Sequence, residues 1–422
     1  MFLSKLMRDQ PQWLLIVYYL FLASNFLFLI PHGKLIWILY AALVVPFSLP
    51  LLPQLWQAVK TSRLFWLLLV YMAYLLLSAL WSPQFDLKHF LARFAGAATI
   101  SHFLLLTAAL RLKMPVEFDR YLKYLGFWVG CAALMVIMIW YSTHPPDSRM
   151  EGLGYLSHPI RSTAAFGVFA LVAWHHLLQP NLHDSRRLGY GLVFAIVLIY
   201  IGLSWSRTVL LALVTALVLP LLIRPERRIL TILAIIATTL LATLWLLPGL
   251  TDHLLRAMPY RPYIWLDALK HALHHPWFGH GYLASTSGIA ILADGSLFPY
   301  GDSHSFFIAN LRSGGILALG LALATIGYAL CITFRHAHSY RSFFHFSLLI
   351  YGILCITPNE WELLTGKRES WIFLWLPFGL AISHELRQPH SLFHNSISRW
   401  MRSTTTATSS SIGTDDMENT SP

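Results

Sequence analysis

Three basic side chains stand where an otherwise apolar chain turns polar. They are Arg207 in Ser204-Trp205-Ser206-Arg207-Thr208, Arg261 in Tyr260-Arg261-Pro262-Tyr263-Ile264-Trp265, and His304 in Asp302-Ser303-His304-Ser305. A guanidinium presents a planar fork of donors to an anion, and an imidazole can accept a proton near neutral pH. The chemistry open to this set is therefore stabilisation of negative charge together with removal of a proton. Each residue alone has a plainer explanation: an arginine snorkelling to headgroups, an interfacial arginine on an amphipathic helix, a histidine serving as a water-facing cap.

Local sequence says how each is held. Pro262 suits the first turn of a helix, and Ile264, Trp265, Ala268, Leu269, Ala272 and Leu273 keep an apolar stripe at three-to-four spacing. Arg261 then sits at a helix N-terminus, where free N–H groups and the dipole favour an anion, and the helix should stop at His275-Pro276. Asp302 or Ser303 can cap a helix beginning at Phe306-Phe307, which would place His304 in its first turn.

The surrounding chain belongs in a bilayer. Of 422 residues, 56% are hydrophobic and only 12% charged, with a mean hydropathy of +0.58, values outside the range of soluble domains. Apolar windows recur near 13–30, 35–53, 64–81, 91–110, 123–141, 162–178, 188–204, 207–223, 229–248, 305–334, 344–357 and 370–386. They predict an all-α polytopic membrane domain over 1–402 with about twelve spans. Its long, partly helical outer loop is 249–304, and 403–422 reads as a disordered cytoplasmic tail. The first window has no cleavage pattern after it and reads as a retained helix. With the N-terminus inside, roughly eighteen of the thirty Lys and Arg fall in inner loops, so the 249–304 loop faces outward. The net charge of +11 is mainly this topology signal, and nucleic acid is not expected as a partner. Cys131, Cys331 and Cys355 lie in spans and read as small buried hydrophobes, with no disulfide.

Several classes lose support. The acidic residues, among them Asp86, Asp147, Glu151, Asp252, Glu360 and Glu362, fall in loops or at span edges, which argues against an ion-coupled carrier. Gly366-Lys367 lacks the other residues of a phosphate-binding loop, so any substrate must arrive already activated. A metal-dependent transferase needs acidic outer loops, yet Pro31-His32-Gly33-Lys34 has none and Asp86 is alone. His271, His274, His275 and His280 suggest zinc but lack an acidic or cysteine partner, so neither a metal nor a cofactor is expected at the site. Arg93 and Arg312, inside or near spans, carry no assigned role.

These pieces together resemble the superfamily of O-antigen ligases and O-antigen polymerases, polytopic membrane glycosyltransferases. The family signature of His, then Asn, Ser or Gln, then nine residues and Gly-x-x-Gly is similar to His304-Ser305, 306–314 and Gly315-Ile316-Leu317-Ala318, with alanine in place of the last glycine. Arg261, Trp265 and His275-Pro276-Trp277-Phe278-Gly279-His280-Gly281 look like the upstream element, and Ser206-Arg207 like the Ser-Arg that opens a span. Arg149, Gly152 and Pro159 are similar to a further element, with stretched spacing and no role carried over. The resemblance implies inverting, metal-independent transfer of a glycan from undecaprenyl pyrophosphate to lipid A–core at the periplasmic face of a Gram-negative inner membrane. It implies that Arg207 and Arg261 hold the donor pyrophosphate and that His304 takes the acceptor proton. O-antigen polymerase and protein O-oligosaccharyltransferase share the donor chemistry, and a lipid-linked glycan flippase shares the architecture. Oligomeric state is open.

Overall fold

The computed structural model describes residues 2–27, 30–179, 182–223, 260–340, 342–358, 364 and 369–387. The expected span at 229–248, the start of the 249–304 loop and the tail at 403–422 lie outside them. In chain order the helices are α1 (Phe2–Ser24), α2 (Gly33–Val59, broken by a π turn and a 3-10 turn), α3 (Arg63–Ser78), α4 (Leu87–Lys113) and α5 (Pro115–Thr143). There follow α6 (Pro159–Leu177), α7 (Asp184–Leu203), α8 (Arg207–Ile223), α9 (Arg261–Ala272), α10 (Phe306–Tyr340), α11 (Phe344–Ile356) and α12 (Leu376–Arg387).

Six helices among the described residues, α2, α3, α4, α5, α7 and α10, are long and apolar enough to cross a membrane, and α8 and α11 are shorter apolar helices. The helix α6 is central: nearly every side chain from Ser162 to Trp174 is buried. Small residues there let neighbours approach closely; a Cβ on Gly167 would meet the hydroxyl of Tyr351, which donates to Ala164 O at 3.0 Å. Trp371, ahead of α12, packs 4.9 Å from both Tyr40 and Phe103. Outward-facing Leu20, Val70, Met138 and Leu211 supply the apolar periphery that a lipid-facing surface requires. Cys355 is buried, but Cys131 and Cys331 are exposed on the outer helix surfaces, because helical spacing turns them away from the bundle.

The loop is partly helical, as expected, and also holds strand. A hairpin, β1 (Gly288–Ile291) and β2 (Leu297–Tyr300), pairs antiparallel with Gly288 opposite Tyr300. It packs on α9 through Ile264, Ala268, Ala290 and Tyr300, and the Tyr300 hydroxyl donates to Asp267 Oδ2 at 2.7 Å. The turn signal Asp294-Gly295, with Gly295 at φ +79°, marks the reversal. Ile264, Ala268 and Ala272 of the expected stripe are buried, whereas Leu269 and Leu273 are exposed and α9 ends at Ala272 rather than His275.

Two loop motifs interlock where α10 kinks. Gly315 adopts φ +67°, and a Cβ there would fall 2.2 Å from the backbone of Trp277. Gly279, at φ +66°, leaves equally little room against Arg312 O and the amides of Gly314 and Gly315. Three backbone bonds complete the joint: His280 N to Arg312 O (2.7 Å), Gly281 N to Ser313 O (2.9 Å) and Ile316 N to Pro276 O (2.7 Å). Arg312 itself is buried and donates to the carbonyls of Thr286 and Ser285, clamping the loop to α10. The substituted position, Ala318, is fully buried in the helical core.

Candidate functional site

His304 is not in the first turn of α10. Ser305 is the residue that caps, accepting from Ile308 N at 3.5 Å, and His304 stands just outside the helix in a left-handed conformation, φ +46°. Neither expected cap is used: Ser303 Oγ donates to Ser305 O at 3.4 Å, and Asp302 turns to the histidine, its Oδ1 accepting from His304 N at 2.9 Å and lying 2.8 Å from Nδ1. The carboxylate is used by the ring and its own amide, so the helix needs another cap. Trp265 Nε1 of α9 donates to His304 O at 3.2 Å, fixing the strained residue from the other side. Asp302 thus selects the tautomer with a proton on Nδ1 and leaves Nε2 as the acceptor.

Trp205, at φ +52°, is the other non-glycine residue in the left-handed region among the described residues. It lies just before Ser206-Arg207, so one backbone outlier is, and the other adjoins, a residue singled out by sequence; such strain persists only where surrounding contacts enforce it. Ser204 Oγ donates to Ser206 Oγ (3.0 Å), and Ser206 Oγ donates to Pro159 O (3.3 Å), tying the start of α8 to the start of α6. Arg149 Nε donates to Ser204 O at 2.9 Å. The Arg149–Pro159 segment therefore belongs to the site, and Gly152 is required in it because a Cβ would strike Leu156 O.

Electrostatic coupling draws the pieces together. Desolvation holds the Arg261 guanidinium below its ordinary range, with Asp302 acting in opposition, and desolvation also lowers Arg149, whose partners are Glu151 and Arg207. Burial pushes the Asp302 carboxyl up, but the bonds and charge of His304 outweigh it and hold the group below the usual carboxylate range. His158, the residue before α6, is held low by desolvation and then by Arg161, Arg149 and His304. The N-termini of α6, α8, α9 and α10 all carry members of this coupled set, and each contributes the positive end of a helix dipole.

Sequence reading missed Arg161 and Glu369. Arg161 Nε of α6 lies 3.6 Å from Glu369 Oε1, and the carboxyl is 2% exposed. Burial pushes Glu369 up to about 7, with Arg161 pulling against that shift. No local motif marks this pair, since its members are 208 residues apart (369 minus 161) and meet only in the fold. An apolar crevice lies below the site, lined by Leu68, Tyr71, Phe306, Ile326, Leu374 and Trp375.

The family model described as O-antigen ligase matches residues 192–323, a stretch holding Arg207, Arg261 and His304. An O-antigen ligase of Pseudomonas aeruginosa strain PAO1 is 28% identical over 367 residues, covering 85% of this chain and 86% of the relative. The chain is similar to O-antigen ligases over most of its length. The ligase-family elements recognised in the sequence, namely Ser206-Arg207, the Arg261 helix, the 275–281 loop and the His304 signature, occupy one connected region of this fold.

Proposed function

We propose that this protein ligates O-antigen in lipopolysaccharide biosynthesis, moving a glycan from undecaprenyl pyrophosphate to lipid A–core at the periplasmic face of the inner membrane. The observation that carries the reading is the Asp302–His304 pair, 2.8 Å apart, coupled to Arg261 and to the Arg149–Arg207 group. The acceptor hydroxyl gives its proton to His304 Nε2 while its oxygen bonds to the anomeric carbon. The bond from that carbon to pyrophosphate breaks in the same displacement, so configuration inverts. The departing undecaprenyl pyrophosphate keeps the bonding electrons, and Arg207 and Arg261, with four helix N-termini behind them, oppose its growing charge. Two guanidiniums can do this without a metal ion.

The test is a deletion strain. Lipid A–core without polymer, together with polymer retained on undecaprenyl pyrophosphate, is the expected result. Chains shortened to one repeat but still joined to core would reassign the protein to polymerisation.

A further inference from the structure

At the far end of α10, three histidines from three helices converge. His336 lies near the end of α10, His345 at the start of α11 and His384 in the last turn of α12. His336 and His384 stack with ring centroids 3.7 Å apart, and His345 approaches His384 at 4.4 Å. One ring nitrogen from each lies within 4.8 Å of the others. His384 is fully buried and His345 is 9% exposed. Both nitrogens of each, and Nδ1 of His336, are buried without a hydrogen-bond partner. Native structures rarely leave so many polar atoms unsatisfied in one place, since each keeps its desolvation cost uncompensated. Beyond the kink at Gly314–Gly315, an unbroken run of helix from Ile316 to His336 rises about 30 Å, so the cluster has no part in the transfer site.

We propose that His336, His345 and His384 form a three-imidazole site for a borderline divalent transition-metal ion of the zinc type, which ties the ends of α10, α11 and α12 together. The donor set decides the class. Three neutral nitrogens and no carboxylate favour zinc, nickel or copper over magnesium or calcium. The charges nearby sharpen the choice: Arg111 and Arg387 act on the cluster, and Arg111 is paired with Asp119 at 3.0 Å. Guanidiniums repel any cation, so affinity must come from strong metal–imidazole bonds, which hard ions do not form. Side-chain rotation must close the nitrogens to the roughly 3.4 Å spacing that bonds of about 2.0–2.1 Å to a shared ion require. Unstacking His336 from His384 is the main movement.

The experiment uses full-length protein in detergent, purified without a polyhistidine tag, loaded with zinc and passed through a desalting column. One zinc per chain is expected by elemental analysis, and cobalt in its place should give the visible absorption of a four-coordinate site. His384→Asn and His345→Gln should lower retained zinc at least tenfold, and so should His336→Ala, whose partly exposed ring can be removed without opening the core. His271→Ala with His274→Ala, in the outer loop, should leave it unchanged. Wild-type protein that retains well under one zinc per chain would overturn the proposal. So would zinc that survives His336→Ala or is lost on changing His271 and His274.

Discussion

Asp302 Oδ1 lies 2.8 Å from His304 Nδ1 and also accepts the His304 amide proton, so one carboxylate fixes both the ring and the backbone of a residue held at φ +46°. In the proposed mechanism the pairing makes Asp302 a positioning residue for His304. Asp302→Asn should lower turnover by roughly 10- to 100-fold and shift the pH profile of turnover, with donor affinity little changed. The sign of its stability effect follows from a carboxyl held below its ordinary value: the contribution is present above the unfolded value and is lost as pH falls through the folded one. Kinetics of the purified variant over pH check the first part, and an unchanged profile would contradict it.

If Arg207 and Arg261 hold the donor pyrophosphate as proposed, Arg207→Ala and Arg261→Ala should weaken both donor binding and turnover, because each removes charge that opposes the anion before and during bond breaking. Arg261→Lys should recover only part of the loss, as a point charge lacks the bidentate fork. Wild-type turnover should persist in excess EDTA. Loss in EDTA with rescue by magnesium or manganese would contradict the two-guanidinium account.

Glu369 predicts a pH dependence of opposite sign to Asp302. Its carboxyl is raised from 4.5 to about 7 by burial, so between those values the folded state holds a proton that the unfolded state has lost. Stability should therefore fall as pH rises through that window and level off above about 7. Thermal unfolding in detergent from pH 5 to 8 would show the decline in wild-type protein and a flatter line for Glu369→Gln. Equal slopes would remove this assignment.

Topology has its own check. Ser285 is exposed, and its amide donates to Gln84 Oε1 at 3.1 Å, in the loop joined to the site by Arg312. Ser285→Cys, with the exposed Cys131 and Cys331 replaced by serine, should react with an impermeant thiol reagent from the periplasm. Reaction only from the cytoplasmic side would put the site in the wrong compartment.

Local structure was legible in the sequence where one segment suffices. Pro262 marked the start of α9, Phe306-Phe307 the start of α10, and the glycines of 275–281 and Gly315 the loop motifs. What escaped depends on residues distant in the chain. The Arg161–Glu369 pair, the docking of Arg149 on Ser204 and the histidine cluster each need two or three helices to be packed first. The placing of His304 failed for a different reason. A capping pattern identifies which side chains could accept an amide, and Asp302 or Ser303 fitted it; the fold spends Asp302 on the histidine and caps the helix with Ser305, one residue before its start.

The central claim is that His304 accepts the acceptor proton, and single-turnover kinetics of His304→Ala with lipid-linked donor test it most directly. Turnover should fall by about 10² to 10⁴, roughly 3 to 5 kcal/mol of barrier, while donor binding stays near wild type and the thermal midpoint shows a folded protein. A folded His304→Ala protein with near-normal turnover would contradict the account, leaving the Asp302–His304 pair as a purely structural fastening of the loop to α10.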